Sequence, residues 1–221
     1  MKNSKERRYE GGAKHKSAFM TRFLVVCPNC QKDAEVSVDN PWRLNNGQLK
    51  CKNCFYSEAA NDLVCYHVSI KRNCDHCGQL IKVTVPNQKN KKSTLRIPCP
   101  HCETVRIYQP KNQEDRLIYQ SSSNSNDPVF NLPLWLQTSV KGHLFWAYNY
   151  QHLNEIKTYV ISELRERQSN YYMTMVERLP QFIKSAKNRN AILKIIEKLE
   201  KGQQEKIKVK NFKQSLFYHA S

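Results

Sequence analysis

Eight of the nine cysteines in this chain stand in four Cys-x-x-Cys pairs: Cys27–Cys30, Cys51–Cys54, Cys74–Cys77 and Cys99–Cys102. Twenty residues separate the first two pairs and twenty-one the last two. Two such pairs with a spacer of roughly 15–20 residues make a four-thiolate metal pattern, and the second unit runs one residue over. Cysteines three apart curl around one ion, and the second pair must return from the far end of a hairpin. A ribbon of about forty residues buries too little apolar surface to fold alone. Structural zinc, whose binding is linked to roughly 10–16 kcal/mol of folding, makes up that shortfall. The spacing therefore predicts two tandem zinc ribbons and two Zn²⁺ per chain. Cys27, Cys30, Cys51 and Cys54 close one tetrahedron, and Cys74, Cys77, Cys99 and Cys102 the other. On this reading metal stands in for a hydrophobic interior in the front half of the chain.

Three rival readings remain open. Disulfides are disfavoured because the chain shows no signal peptide and thiols stay reduced in the cytosol. A redox dithiol needs a βαβ context, which four regularly paired copies do not provide. An iron site of rubredoxin type favours glycine after the second cysteine of a knuckle, but only Gly78 fits; Gln31, Phe55 and Glu103 hold the other places. The ninth cysteine, Cys65 in Leu63–Tyr66, reads as a small core residue of a strand, with a reactive thiol as the alternative.

Charge bounds the partners. Across 221 residues, 36 Lys and Arg face 19 Asp and Glu, a net +17. Two Zn(Cys)₄ sites at −2 each bring this to about +13. Such a balance points to nucleic acid or another polyanion, with a solubility device as the plainer alternative. No run reaches transmembrane length. A cytoplasmic or nucleoid-associated protein is expected.

Residues 1–22 carry Lys2, Lys5, Arg7, Arg8, Lys14, Lys16 and Arg22 against Glu6 and Glu10, a net +5 without apolar periodicity. They read as a flexible basic arm. Ribbon one, 23–60, has strands at Phe23–Val26, Ala34–Val38 and Gln48–Lys50, and zero local charge. At its loop base Trp42 and Arg43 suit stacking on a nucleobase, although such a tryptophan more often covers a small core. Ribbon two, 61–110, repeats the plan with a shift of 47 to 48 residues: Val68–Ile70, Leu80–Val85, Thr94–Ile97 and Thr104–Ile107. From its first knuckle onward, Lys82, Lys89, Lys91, Lys92, Arg96 and Arg106 face only Asp75 and Glu103, a net +4. Lys89, Lys91, Lys92 and Arg96 read as phosphate contacts beside a rigid scaffold, or as a solvated turn. His76 and His101 read as spectators inside knuckles that already have their sulfurs.

Residues 111–131, with the run Ser121–Pro128, read as a flexible linker. The module at 132–201 opens with a β-hairpin, Leu134–Leu136 and Leu144–Tyr148 around Lys141-Gly142. Asn149 caps a helix reaching Arg167, with Leu153, Ile156, Val160 and Leu164 on one face. Pro180 interrupts a second helical stretch over 172–184, and a third helix runs over 190–201 to Gly202. Lys184, Lys187 and Arg189 oppose the dipole at the start of that helix, which favours an arriving anion; an ordinary solvated connection is the rival. Residues 202–221 form a basic tail, an edge strand or an extended arm. Residues 130–221 hold fifteen Lys and Arg against seven Glu, a net +8. The predicted class is α+β: two small β ribbons, then a mostly helical module with a short hairpin.

Leu134-Trp-Leu-Gln137, Leu144-Phe-Trp-Ala-Tyr-Asn149, Leu164-Arg-Glu-Arg167 and Ser185-Ala-Lys-Asn-Arg189, set behind the ribbons, resemble bacterial proteins with transcription factor IIB-type zinc ribbons. The likeness covers 23–110 and, more loosely, 132–200. It implies zinc and contact with nucleic acid. The chain departs from that pattern at Leu144-Phe-Trp and in its few post-knuckle glycines.

Three functions compete. The first is a non-enzymatic, zinc-stabilised protein that binds DNA or RNA mainly through phosphates, in a regulatory or accessory role. The second is an adaptor docking through its ribbons and the Trp135/Trp146 segment on a nucleic-acid-processing or phage-defence complex. The third, an enzyme, is disfavoured: there is no Walker loop, no His-Glu-x-x-His and no acidic cluster for two metals.

Overall fold

The computed structural model describes residues 8–121, 123, 125–163, 173–202 and 209–215. In chain order the strands and helices are β1 (Arg22–Val26), β2 (Asp33–Ser37), β3 (Gln48–Lys50), β4 (Ser57–Ala59), β5 (Val64–Asn73), β6 (Leu80–Gln88), β7 (Leu95–Pro98), β8 (Val105–Tyr108), β9 (Lys111–Ser121), β10 (Leu136–Val140), β11 (His143–Ala147), α1 (Tyr150–Ile161), α2 (Gln181–Lys184), α3 (Arg189–Glu200) and β12 (Val209–Ser215). Small antiparallel sheets and three late helices give the mixed class that the hydrophobic periods predict. None of the described helices is long and apolar enough to cross a membrane.

The chain divides into two units, and the boundaries are not those read from composition. The first combines residues 1–60 with 120–211; the second combines 61–119 with 212–221. Ribbon one therefore belongs with the late helical module, and ribbon two is inserted between them.

In the first unit β1 is the joining element. One edge pairs antiparallel with β2, from Arg22 opposite Ser37 to Val26 opposite Asp33. Along the rest of its backbone, Leu24 N–H donates to the Tyr148 carbonyl at 2.7 Å and Val26 N–H to the Pro133 carbonyl at 2.9 Å, while the Leu24 carbonyl accepts from Trp135 N–H at 2.8 Å. Phe23 and Val25 fill one face of this strand and Val26 lies on the other, and all three are buried. Phe130, Leu132, Leu134, Phe145, Leu153 and Ile192 complete a core of fully buried side chains, each contributing about 1.5–3 kcal/mol. Gly47 permits the close approach of this layer, because a Cβ there would collide with Val129. Ribbon one thus has the hydrophobic interior that its length alone would deny it, and the expectation that metal replaces that interior fails for this ribbon.

The flexible-linker expectation for 111–131 also fails. Residues 111–121 form β9, and the segment beyond is organised by a buried carboxylate. Asp127 accepts from the N–H groups of Val129 and Phe130 at 2.8 Å and of Leu132 at 2.7 Å. Ser121 donates to Asn126, and Ser123 to Gln137 and the Ser125 carbonyl. Polar side chains that resemble solvated linker in composition instead satisfy their own backbone.

The basic arm is ordered where it is described. Tyr9 and Phe19 are buried. The Tyr9 hydroxyl donates to Glu155 of α1, and Lys14 Nζ reaches the same carboxylate at 2.6 Å. Arginine and lysine counts hid two aromatic anchors. Residues 1–7 lie outside the described residues.

Beyond these, local chemistry reads well. Lys141 and Gly142, at φ 50° and 79°, form the two-residue turn between β10 and β11. Asn149 caps α1 by accepting from His152 N–H at 2.8 Å, and Gly202 at φ 71° follows α3. Pro180 starts α2 rather than kinking a longer helix. The predicted helix to Arg167 ends earlier, at Ile161; the Leu164–Arg167 motif and Tyr172 lie outside the described residues.

In the second unit, β5 is central in a sheet ordered β12-β9-β5-β6, and β7 pairs with β8. The tail is an edge strand over Val209–Ser215; residues 203–208 and 216–221 lie outside the described residues. Cys65 is buried in β5, and burial, followed by the charge of Asp115, pushes its thiol up to about 11. His67 and Asp115 form a buried pair at 2.8 Å. Around the metal-ligand residues the core is small: Ile70, Cys74, Ile81, Cys99 and Tyr108.

Candidate metal centres

The eight paired cysteines converge as two groups of four. Within each group all sulfurs lie within 4.8 Å of one another. The closest approaches are 3.7 Å for Cys27–Cys54, 3.6 Å for Cys30–Cys51, 3.9 Å for Cys74–Cys102 and 3.7 Å for Cys77–Cys99. A regular tetrahedron with metal–sulfur bonds of about 2.3 Å has edges of about 3.8 Å. A disulfide would need about 2.05 Å. The donor set therefore fits one tetrahedral ion per group, and the disulfide reading does not fit, since all nine cysteines are free.

Each group is held by two identical knuckles. The residue after the second cysteine is left-handed in all four: Gln31 at φ 60°, Phe55 at 58°, Gly78 at 73° and Glu103 at 60°. That turn lets the first cysteine's N–H bond the carbonyl five residues on: Cys27 to Lys32, Cys51 to Tyr56, Cys74 to Gln79 and Cys99 to Thr104. Three of the four positions adopt the glycine conformation without glycine, so a missing glycine does not argue against the knuckle. The N–H groups of His76 and His101 reach the sulfurs of Cys74 and Cys99 at 3.4 and 3.5 Å, and the His76 side chain also hydrogen-bonds the Cys102 sulfur.

Hydrogen bonds bias the sulfurs unequally. The Asn29 side chain and the Tyr56 N–H pull Cys54 down to about 6. The Thr104 side chain and N–H pull Cys102 down to about 5. Burial pushes Cys27 up to about 12. Four thiols this close cannot all ionise unaided; a divalent cation is what makes four thiolates compatible. Asn29 and Thr104 were not singled out from the sequence, although a polar side chain inside or just after a knuckle is the signal for them.

The candidate nucleic-acid contacts fall into both units. In the first, Trp42 is 72% exposed rather than covering a core, and Arg43 beside it is exposed. Lys187 is exposed, but its neighbours hold the fold: Lys184 Nζ donates to the Glu177 carbonyl at 3.1 Å, and Arg189 to the Ser162 carbonyl, just past α1, at 3.3 Å. In the second unit Lys89, Lys91 and Lys92 lie exposed between β6 and β7, and Arg96 exposed on β7. Lys91 lies 5.3 Å from the centre of the Tyr66 ring.

Together the fold and the two centres define an α+β chain with two tetrahedral four-cysteine sites, one built into a large core and one in an inserted unit. No protein-family model, curated protein or solved structure matches this chain, so the resemblance noted in its motifs is not joined by a wider match.

Proposed function

We propose that this chain is a non-enzymatic, zinc-stabilised nucleic-acid-binding protein that contacts mainly phosphates and works in a reducing, cytoplasmic compartment, where its thiols stay available to metal. A closed four-thiolate tetrahedron is the usual structural zinc site and also suits iron, so metal analysis separates the two. The same closure supports a structural role for both ions, since each tetrahedron keeps no position for a substrate. The observation carrying the nucleic-acid reading is the exposed set Lys89, Lys91, Lys92 and Arg96 in ribbon two. Among the described residues none of the four has a carboxylate partner. Cations left unpaired on a rigid scaffold release counterions when they meet phosphate. Replacing all four with Ser should flatten the slope of log affinity against log salt by about 3 on duplex or single-stranded probes. An unchanged slope, or no binding at low salt, overturns the reading. Metal analysis should return two zinc ions per chain.

A second reading, an adaptor in a larger nucleic-acid-processing or defence complex, rests on one observation. The outer face of the β7–β8 hairpin places Arg96 opposite Ile107, with Val105 alongside, and these two apolar residues are 68% and 47% exposed. A stoichiometric partner that survives nuclease treatment and is lost on Ile107→Asp favours this reading over the first.

A further inference from the structure

The first unit holds a cavity of about 260 Å³ that the metal centres leave unused. Its walls come from four separate stretches: Lys16 from the N-terminal segment, Trp146 from β11, His152 and Ile156 from α1, and the segment from Arg178 to Ile183. The walls are mainly apolar, and the exceptions are specific. Lys16 Nζ lies 5.3 and 5.2 Å from the ring centres of Trp146 and Tyr148. Among the described residues neither Lys16 nor Arg178 has a carboxylate partner.

His152 is the buried polar residue of the wall. It is only 3% exposed and stacks on Phe19 with ring centres 5.1 Å apart. Its Nδ1 accepts the Tyr148 N–H at 3.2 Å, which leaves the neutral ring's proton on Nε2. Burial, and then the charge of Lys16, holds this ring neutral by lowering it to about 4. Nε2 is closed off from solvent and has no hydrogen-bond partner. A buried donor without an acceptor is costly, and native proteins seldom leave one without a reason.

We propose that this cavity binds a small organic carboxylate with an apolar body. Lys16 and Arg178 receive the carboxylate, and the body packs against Trp146, His152, Ile156 and Ile183. Two cations without a carboxylate partner among the described residues call for an anion that accepts hydrogen bonds. The apolar walls call for hydrocarbon behind it. A nucleobase suits the site less well, because its edge donors and acceptors would go unpaired against these walls. The volume lies just below the usual range for drug-sized ligands, roughly 300–1,000 Å³, and so sets a small body.

Calorimetry on the full, metal-loaded chain tests this with 3-phenylpropanoate and octanoate as probes and their neutral amides as controls. The acids should bind one to one, each at least tenfold tighter than its amide. Lys16→Met should weaken acid binding about tenfold while leaving the melting temperature and metal content unchanged, and Ile183→Trp should fill the cavity and abolish binding. The proposal is overturned if neither acid binds, if the amides bind equally well, or if Lys16→Met has no effect. It is equally overturned if adenosine monophosphate or a short oligonucleotide displaces the acid from this cavity at lower concentration than the acids themselves require.

Discussion

The two ribbons share a ligand plan and a knuckle geometry, yet the apolar cores around them differ. Ribbon one lends β1 to a core that includes Phe130, Leu134 and Phe145, all fully buried. Ribbon two surrounds its sulfurs with a cluster of five buried residues, two of them the ligands Cys74 and Cys99. The same motif is therefore a reinforcement in one place and the main support in the other. What differs is where the flanking strand goes: β1 is bonded on both edges, whereas β7 and β8 form a sheet of two strands only.

Chelation should expose the largest contrast. Removing metal from ribbon two forfeits a linked folding energy on the order of 10 kcal/mol. In hydrogen exchange, the amides of β7 and β8 should lose protection completely while those of β1 keep theirs through Leu24 and Val26. Equal loss in both ribbons would break the comparison. Asp127→Ala comes next. Freeing three buried N–H groups should cost the first unit about 3 kcal/mol or more, read as a shifted urea midpoint, with the metal content of ribbon two intact. If the midpoint does not move, the polar run is a linker after all.

Acid offers a further separation. His152 is held at about 4 by burial and then by Lys16, against about 6.5 in an unfolded chain. The unfolded state therefore takes up the proton first. This site's contribution is complete above pH ~6.5 and is lost as the pH falls toward 4, by roughly 3 kcal/mol in total. His152→Phe keeps the stack on Phe19 and should flatten that decline in the first unit; thiol protonation acts on both proteins alike and cancels in the difference. An identical decline in the variant would contradict the assignment. The smallest effect belongs to the knuckles. Glu103→Gly relieves a left-handed residue in ribbon two and should gain about 0.5–1 kcal/mol, seen as slower metal loss to a chelator, whereas Gly78→Ala should shift it the other way.

The metal centres were legible because ligation is written locally: a pair three apart makes a knuckle, and a hairpin-length spacer returns the second pair. The hairpin turn at Lys141-Gly142 and the Asn149 cap were legible for the same reason, since neighbours in sequence complete them. Misreadings arose where composition substituted for partners. The serine run reads as linker until Asp127 is seen holding three backbone N–H groups. Arg189 and Lys184, read as candidate phosphate contacts or a solvated connection, each also bond a carbonyl from another turn of the unit, which composition does not show. Trp42 was expected more often in a core than in solvent, and it is in solvent.

By itself, then, the sequence determined two four-sulfur sites, the strands that serve them and the late helices, because each depends on spacing within a few tens of residues. Only the tertiary structure decided that the first ribbon and the last module share one interior, and that Lys16, Trp146, His152 and Arg178 surround one cavity. Those relations join residues up to about 160 positions apart, and hydrophobic burial, which drives them, is non-directional and leaves no periodic mark of which partner it will choose.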